Sequence, residues 1–336
     1  MVRHNLSSAL IGLLAICPVG VSYAQELTIQ QIQSHTSDGD ASLYDGEIRD
    51  GRGGCVTHIW TGTWGRVYLQ DPANITWGAI CVRDAEGDLI STVQVGDWIS
   101  FDQILIQEHR GMTFLQYNRT YAPDVIFTIE SSGNYVPAPT VLTAADIPAP
   151  VEHPGDEWHV EDHNAEPYES MRLVVRDVTV TRMHLGKASD NYNLRTPAEE
   201  DCWATDYQNA DKEPSGYHRF VTADQHFCAV VGVLEQYTKL SSGWDYYQLI
   251  TMKTEDLAIC GDGDSDGDLD IDDWPRFHTC FVGPQCGETG GGCNPAAWTL
   301  PPTELALEHC LMMDLDYDGD VDLRDFAELQ VIFDAQ

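Results

Sequence analysis

Basic residues are scarce in this sequence. Only 18 Lys and Arg stand against 54 Asp and Glu, for a formal charge of −36 at pH 7. Residues 25–139 contain no lysine at all. Nucleic-acid binding needs clustered cations to neutralise phosphates, so the composition argues against nucleic acid as a partner unless the fold assembles a basic patch. Long apolar runs are also missing beyond the first two dozen residues, which argues against membrane insertion. There is no GxSxG elbow, no P-loop, and no GxGxxG placed between a strand and a helix. No C-x-x-C or Cys/His zinc spacing occurs. Paired carboxylates abound, but in so acidic a chain they single out no general acid and base. These absences point to a protein without catalytic function and without catalytic residues to name.

The N-terminus has the layout of a secretory signal peptide. Arg3 and His4 precede an apolar run from Ala9 to Val21, followed by the small residues Ser22 and Ala24. The run falls short of the roughly 20 residues that span a bilayer. Residues 1–24 are therefore expected to be removed near Ala24 and the mature protein to be secreted, extracellular or at the cell surface. Of ten cysteines, Cys17 would leave with the signal. The remaining nine are expected to form disulfides in an exported chain, with Cys55–Cys81, Cys202–Cys228, Cys280–Cys310 and Cys286–Cys293 as the pairs and Cys260 left over.

From Gln25 to about Ile259 the sequence alternates short strand-like runs with Gly, Asp, Asn and Pro. CVTHIW (Cys55–Trp60), RVYLQD, AICVRD, DWISFDQILIQEH and MTFLQY are five strand candidates in the first half. Val67 and Leu69 alternate with Tyr68 and Gln70, the pattern of a half-buried strand. In the fourth run the apolar phase slips between Phe101 and Ile104, which predicts a β-bulge near Asp102–Gln103 of the kind that bends a small sheet into a barrel. A proline-rich stretch, Val136–Trp158, reads as a linker. MRLVVRDVTVT (Met171–Thr181), HRFVTA, FCAVVGVLEQY and WDYYQLITM then repeat the strand-rich pattern.

The C-terminal region, residues 260–336, holds 18 acids against two bases. Within it, DGDSDGDLDIDD begins at Asp262 and DLDYDGDVDLRD at Asp314. Both fit the twelve-residue calcium loop, with Asp at positions 1, 3, 5, 9 and 12, Gly at 6 and a backbone carbonyl at 7. Calcium is a hard cation that takes six to eight oxygens, and alternate residues of a tight loop can turn their oxygens inward. The expected side-chain ligands are Asp262, Asp264, Asp266, Asp270 and Asp273 in the first loop. Those of the second are Asp314, Asp316, Asp318, Asp322 and Asp325. Asp268 and Asp320 supply the carbonyls, and Gly267 and Gly319 allow the turn. Two Ca2+ ions are implied. After each loop, aromatic and aliphatic residues fall at helical spacing: Trp274, Phe277 and Phe281, then Phe326, Leu329 and Phe333. The two units superpose at a constant offset of 52 residues.

This duplication resembles the dockerin module, a small helical domain with paired EF-hand-like calcium loops that also carries Asp at position 12. The resemblance implies docking to a cohesin-like or other surface protein. Cellulosomal dockerins usually present a small hydroxyl pair at loop positions 10 and 11, where this chain has Ile271–Asp272 and Leu323–Arg324. That departure argues for a different surface partner or for packing within the chain. Residues 25–260 resemble the OB-fold-like modules that precede the catalytic domain of bacterial extracellular nucleases, through TIQQIQ, GCVTHIW, VYLQDP, VQVGDWISF and GMTFLQY, then PYESMRLVV, VVGVLEQY and YYQLITMKTEDLAI. The expected fold is mainly β, with two tandem OB-like β-barrels at 25–139 and 140–259, the second segment including the linker, followed by a small α-helical calcium-binding dockerin-like domain at 260–336; two β-sandwiches are the alternative to the barrels.

Two further clusters carry weaker signals. His153, His159 and His163 lie among acids, and HVEDH would place His159 and His163 on one face if helical. Trp60, Trp64, Trp77 and Trp98, with Trp244, Tyr246 and Tyr247, are candidates for exposed aromatics. An exposed pair among Trp60, Trp64 and Trp77 would form a platform for carbohydrate or nucleotide rings. The function these readings support is a secreted, non-enzymatic, modular calcium-binding protein. An accessory nucleic-acid-binding subunit of an extracellular nuclease, or a component of a polysaccharide-degrading assembly, is the alternative.

Overall fold

Ile48–Trp60 forms a strand (β1) long enough to take part in two ladders. Its C-terminal half pairs antiparallel with Gly65–Gln70 (β2), and its N-terminal half with Trp98–His109 (β4). The computed structural model describes residues 26–34, 41–185, 191–281, 310–318 and 321–334. The expected signal peptide and the expected Cys286–Cys293 pair lie outside these residues.

β2 continues antiparallel to Ala79–Asp84 (β3), and β3 runs parallel to Met112–Tyr117 (β5), which returns antiparallel to β4. Because β4 also pairs with β1, the order β1-β2-β3-β5-β4 closes on itself as a five-stranded barrel, with Ile126–Ser131 (β6) added outside β4. The short helix Ile29–Gln33 (α1) is closed by a capping box between Thr28 and Gln31. A second short helix, Asp88–Thr92 (α2), crosses from β3 to β4. Val56, Val67, Leu69, Ile80, Val82, Ile99 and Leu115 fill the interior.

The bulge read from the apolar phase of β4 is present. Arg49 pairs with Ile104 and Gly51 with Phe101, so β4 carries an extra residue at Asp102–Gln103. Gln103 takes the left-handed conformation there (φ 55°), and its N–H donates to Asp50 Oδ1 at 3.0 Å.

The second half forms a nine-stranded sheet. Arg172–Leu185 (β10), Asn191–Arg195 (β11) and Asp201–Thr205 (β12) pair antiparallel in succession. β12 runs parallel to Trp244–Ile250 (β14), while His226–Lys239 (β13) pairs antiparallel with both β14 and β10. This succession repeats that of the first barrel strand for strand. The proline-rich stretch expected to be a linker is instead part of this sheet. Thr140–Val141 (β7) runs parallel to β10, and the hairpin of Val151–His153 (β8) and Glu157–His159 (β9) extends β14.

The two sheets share a packed seam. Tyr68, Cys81, Met112 and Phe114 from the barrel meet Val233, Ile250 and Met252 from the second sheet. This explains a departure from the half-buried pattern expected of β2. Tyr68 is fully buried because the face that alternation assigned to solvent is covered by the second sheet.

Leu257–Ala258 (β15) pairs with β13 and leads into the C-terminal region, whose helices are Trp274–Cys280 (α3) and Leu323–Asp334 (α4). That region packs on the outside of the second sheet. Phe277, Met312, Met313, Leu315 and Leu329 share one core with Val174, Ala229 and Val231.

The disulfides differ from expectation. Cys280–Cys310 forms, but Cys228 pairs with Cys260 and not with Cys202. Cys55, Cys81 and Cys202 are buried thiols. Burial pushes Cys81 and Cys202 up to about 12, far from reactivity. The reason lies in strand order. β2 separates the strands of Cys55 and Cys81, and β14 separates those of Cys202 and Cys228. Two inter-strand steps of roughly 4.8 Å exceed the reach of a disulfide. By contrast, β15 holds Ala258 opposite Ala229, which brings Cys260 to Cys228.

Candidate metal centre

Each of the two acidic loops gathers three carboxylates. Asp262, Asp264 and Asp273 form one cluster and Asp314, Asp316 and Asp325 the other, with the oxygens of each trio within 4.8 Å of one another. In both, the residues at loop positions 1 and 12 are buried.

The backbone explains how such a crowd of like charges is held. Asp273 Oδ1 accepts from the Gly263 N–H at 2.7 Å, and its Oδ2 from the Asp270 N–H at 2.7 Å. In the second loop Asp325 Oδ1 accepts from Leu315 N–H at 2.6 Å and Oδ2 from Asp322 N–H at 2.7 Å. Asp270 and Asp322 in turn accept from the N–H groups of Asp272 and Arg324, capping the turn that starts each helix. Ser265 and Tyr317, both at position 4, take the left-handed conformation with φ 62°. Every one of these correspondences keeps the 52-residue offset of the sequence.

Hydrogen bonds only partly offset the cost of gathering the carboxylates. Burial, with the nearby Asp273 charge adding to it, pushes Asp262 up to about 6. Burial likewise raises Asp273 and Asp316, and Asp268 is raised chiefly by the neighbouring Asp266. An all-oxygen, all-carboxylate set suits a hard divalent cation and not a soft one. Either trio could therefore hold a metal ion.

The remaining expected ligands stand outside the trios. Asp266 accepts from the Asp268 N–H at 3.0 Å, and Asp318 lies 3.3 Å from Arg324. Gly319 and Asp320 lie outside the described residues. Gly267 takes φ +97°, and a Cβ there would meet the Phe220 ring at 2.4 Å, so glycine is needed both for the turn and for the close approach to Phe220 in the connection that leads into β13.

The helices that follow the loops face each other through the aromatics read from their spacing. Trp274 and Phe277 each approach Phe326 with ring centroids 5.8 Å apart. Outside this contact, Trp274, Phe326, Leu329, Gln330 and Phe333 line a shallow furrow. Ile271 and Leu323, both at position 10, are exposed.

Sequence reasoning missed the groups of the second sheet and its β12–β13 connection that touch the loops. Arg176 of β10 forms an ion pair with Asp314 at 2.6 Å, and Arg219 donates to the Asp266 carbonyl at 2.9 Å. Sequence separations of 138 and 47 residues carry no local signal for these contacts.

The histidine cluster does not assemble on a helix. His159 belongs to β9 and meets His153 of β8 across the hairpin, whereas His163 bonds Tyr247 Oη at 3.0 Å. Among the aromatic candidates, Trp244, Tyr246 and Tyr247 are core residues, Trp60, Trp77 and Trp98 are partly buried, and Trp64 is exposed.

No family model matches the chain, and no curated protein matches it. Among the described residues, no helix is long and apolar enough to cross a membrane.

Proposed function

We propose that this is a secreted, non-enzymatic modular protein that binds two calcium ions in its C-terminal loops and uses its β-rich half to bind a ligand or partner. The observation that carries the reading is the duplicated geometry of the loops. Two carboxylate trios recur at one sequence offset with the same backbone bonds on their position-12 aspartates. Asp262, Asp264 and Asp273 would hold one ion and Asp314, Asp316 and Asp325 the other, with further oxygens from the rest of each loop. Bound calcium would offset the carboxylate repulsion and tie each loop to the helix that follows it.

The C-terminal region fits a dockerin-like reading in its paired loops and facing helices. Exposed Ile271 and Leu323, beside the furrow at Trp274 and Phe333, offer an apolar face for another surface protein. The repeated strand succession supports two tandem OB-like barrels, the second of which also carries the calcium module on its outer face. Disulfides tie that module to β13 and brace it internally, as suits an exported protein.

Calorimetric titration of the chelator-stripped mature chain tests the calcium reading. Two sites in about the micromolar range or tighter are expected, with a rise in melting temperature on saturation. A chain indifferent to calcium in both measurements would refute it.

A further inference from the structure

A cavity of about 420 Å³ lies where the barrel meets the second sheet, within the roughly 300–1,000 Å³ of small-ligand pockets. It is lined by three of the chain's few arginines, Arg66, Arg83 and Arg110, against a single acid, Glu235. Arg66 and Arg83 stand directly opposite each other on β2 and β3, an arrangement of like charges that a sheet ordinarily avoids. Glu235 takes Arg66 at 2.7 Å, and the Tyr207 hydroxyl adds a contact at 2.8 Å. Neither Arg83 nor Arg110 has a carboxylate partner among the described residues, in a chain where acids outnumber bases threefold. Arg83 rests on the rings of Trp64 and Phe114, and Arg110 lies over the Tyr237 ring and donates to its hydroxyl at 2.8 Å. Among the described residues, the Nε atoms of Arg66 and Arg83 and the Oε1 of Gln236 are buried without a hydrogen-bond partner.

The rim is strained as well as charged. Trp64 (φ 60°) and Arg110 (φ 59°), on separate loops, both take the left-handed conformation, which is costly for bulky residues and clusters at functional sites. Trp64 is 59 % exposed. Opposite, Asn191 donates to Gln248 at 2.8 Å and Gln248 to Glu235 at 2.6 Å, a polar chain suited to hydroxyl groups. Partial burial, and then Arg83, Arg110 and Arg66, lower His109 below its ordinary range.

We propose that this cavity binds a small acidic sugar, with its carboxylate or sulfate between Arg83 and Arg110 and its ring against Trp64. Arginine pairs with such groups through two parallel hydrogen bonds, and an indole face takes the apolar side of a sugar ring. A polyanion fits less well, because only two of the cations are uncommitted and the surrounding chain is strongly acidic. The site is separate from the calcium loops, and its failure would leave the calcium reading untouched.

The test is calorimetry and tryptophan fluorescence on the calcium-loaded mature chain. The probes are digalacturonate and galactose sulfate, with neutral galactobiose, inorganic sulfate and oligothymidylate as comparisons. An acidic sugar should bind, and the neutral disaccharide and bare sulfate should each bind at least about tenfold more weakly. Arg83→Gln should lose about tenfold or more and Trp64→Ala a similar factor, with Arg110→Gln, at the exposed rim, as the variant least able to disturb folding. Binding of neither acidic sugar, equal binding of the neutral disaccharide or of sulfate alone, tighter binding of oligothymidylate, or full affinity in the Arg83 and Arg110 variants would each overturn the proposal.

Discussion

Arg176, on β10, forms an ion pair at 2.6 Å with Asp314, the first carboxylate of the second acidic loop. A residue of the second sheet thus neutralises a group that a cation would otherwise claim, so that the packing of the C-terminal region and the electrostatics of its loop are linked. Arg176→Gln removes this ion pair from the buried Asp314 carboxylate. The expected loss is roughly 1–3 kcal/mol of stability, less than for a fully buried pair because Arg176 keeps some exposure. The loss should shrink when calcium is present, because the ion takes over the role of the guanidinium. Thermal melts with calcium and with chelator measure both effects, and an equal loss in the two conditions would disprove the link.

The position-12 aspartates should act one per loop. Asp273→Asn should remove one calcium site and Asp325→Asn the other, because an amide neither carries the charge nor chelates with two anionic oxygens. Titration should fall from two sites to one in each variant and to none in the double variant. Two sites surviving in both single variants would place the ions elsewhere.

The Cys228–Cys260 disulfide closes a loop across 32 residues between β13 and the start of the acidic region. Replacing both cysteines by serine should cost about 2–4 kcal/mol, read as a lower denaturant midpoint. Alkylation followed by mass spectrometry should modify Cys55, Cys81 and Cys202 only after denaturation, because all three thiols are buried. Rapid labelling of any of them in the native protein would contradict their burial, and labelling of Cys81 in particular the packing of the seam.

His58 should make the fold acid-sensitive. Burial, helped by Arg172 and Lys253, lowers it from its ordinary 6.5 to about 4. Between those values the unfolded chain binds a proton that the folded chain refuses, so stability rises with pH across the window and is complete above about 6.5. His58→Gln should remove roughly 1–3 kcal/mol of this dependence relative to the parent. Parallel pH–stability curves for the two proteins would show that the ring contributes nothing.

The local patterns were legible because each depends on residues only a few positions apart. Alternate aspartates with a glycine at position 6 define a loop, three- and four-residue spacings put Trp274, Phe277 and Phe326 on facing helix surfaces, and the phase slip at Asp102–Gln103 marks a bulge. The mainly β character followed in the same way. What the tertiary structure alone decided depends on which strands become neighbours. Strand order rejected Cys55–Cys81 and selected Cys228–Cys260, because a disulfide spans one strand spacing and not two. It drew the proline-rich stretch into the second sheet and set Arg176 against Asp314. It also brought Arg66 and Arg83 face to face and placed Arg110 beside them, although as many as 44 residues of an acidic sequence separate these cations. Composition counts charges over the whole chain, but folding concentrates them, and a locally basic cavity inside a protein of net charge −36 becomes visible only when β2, β3 and the β4–β5 turn converge.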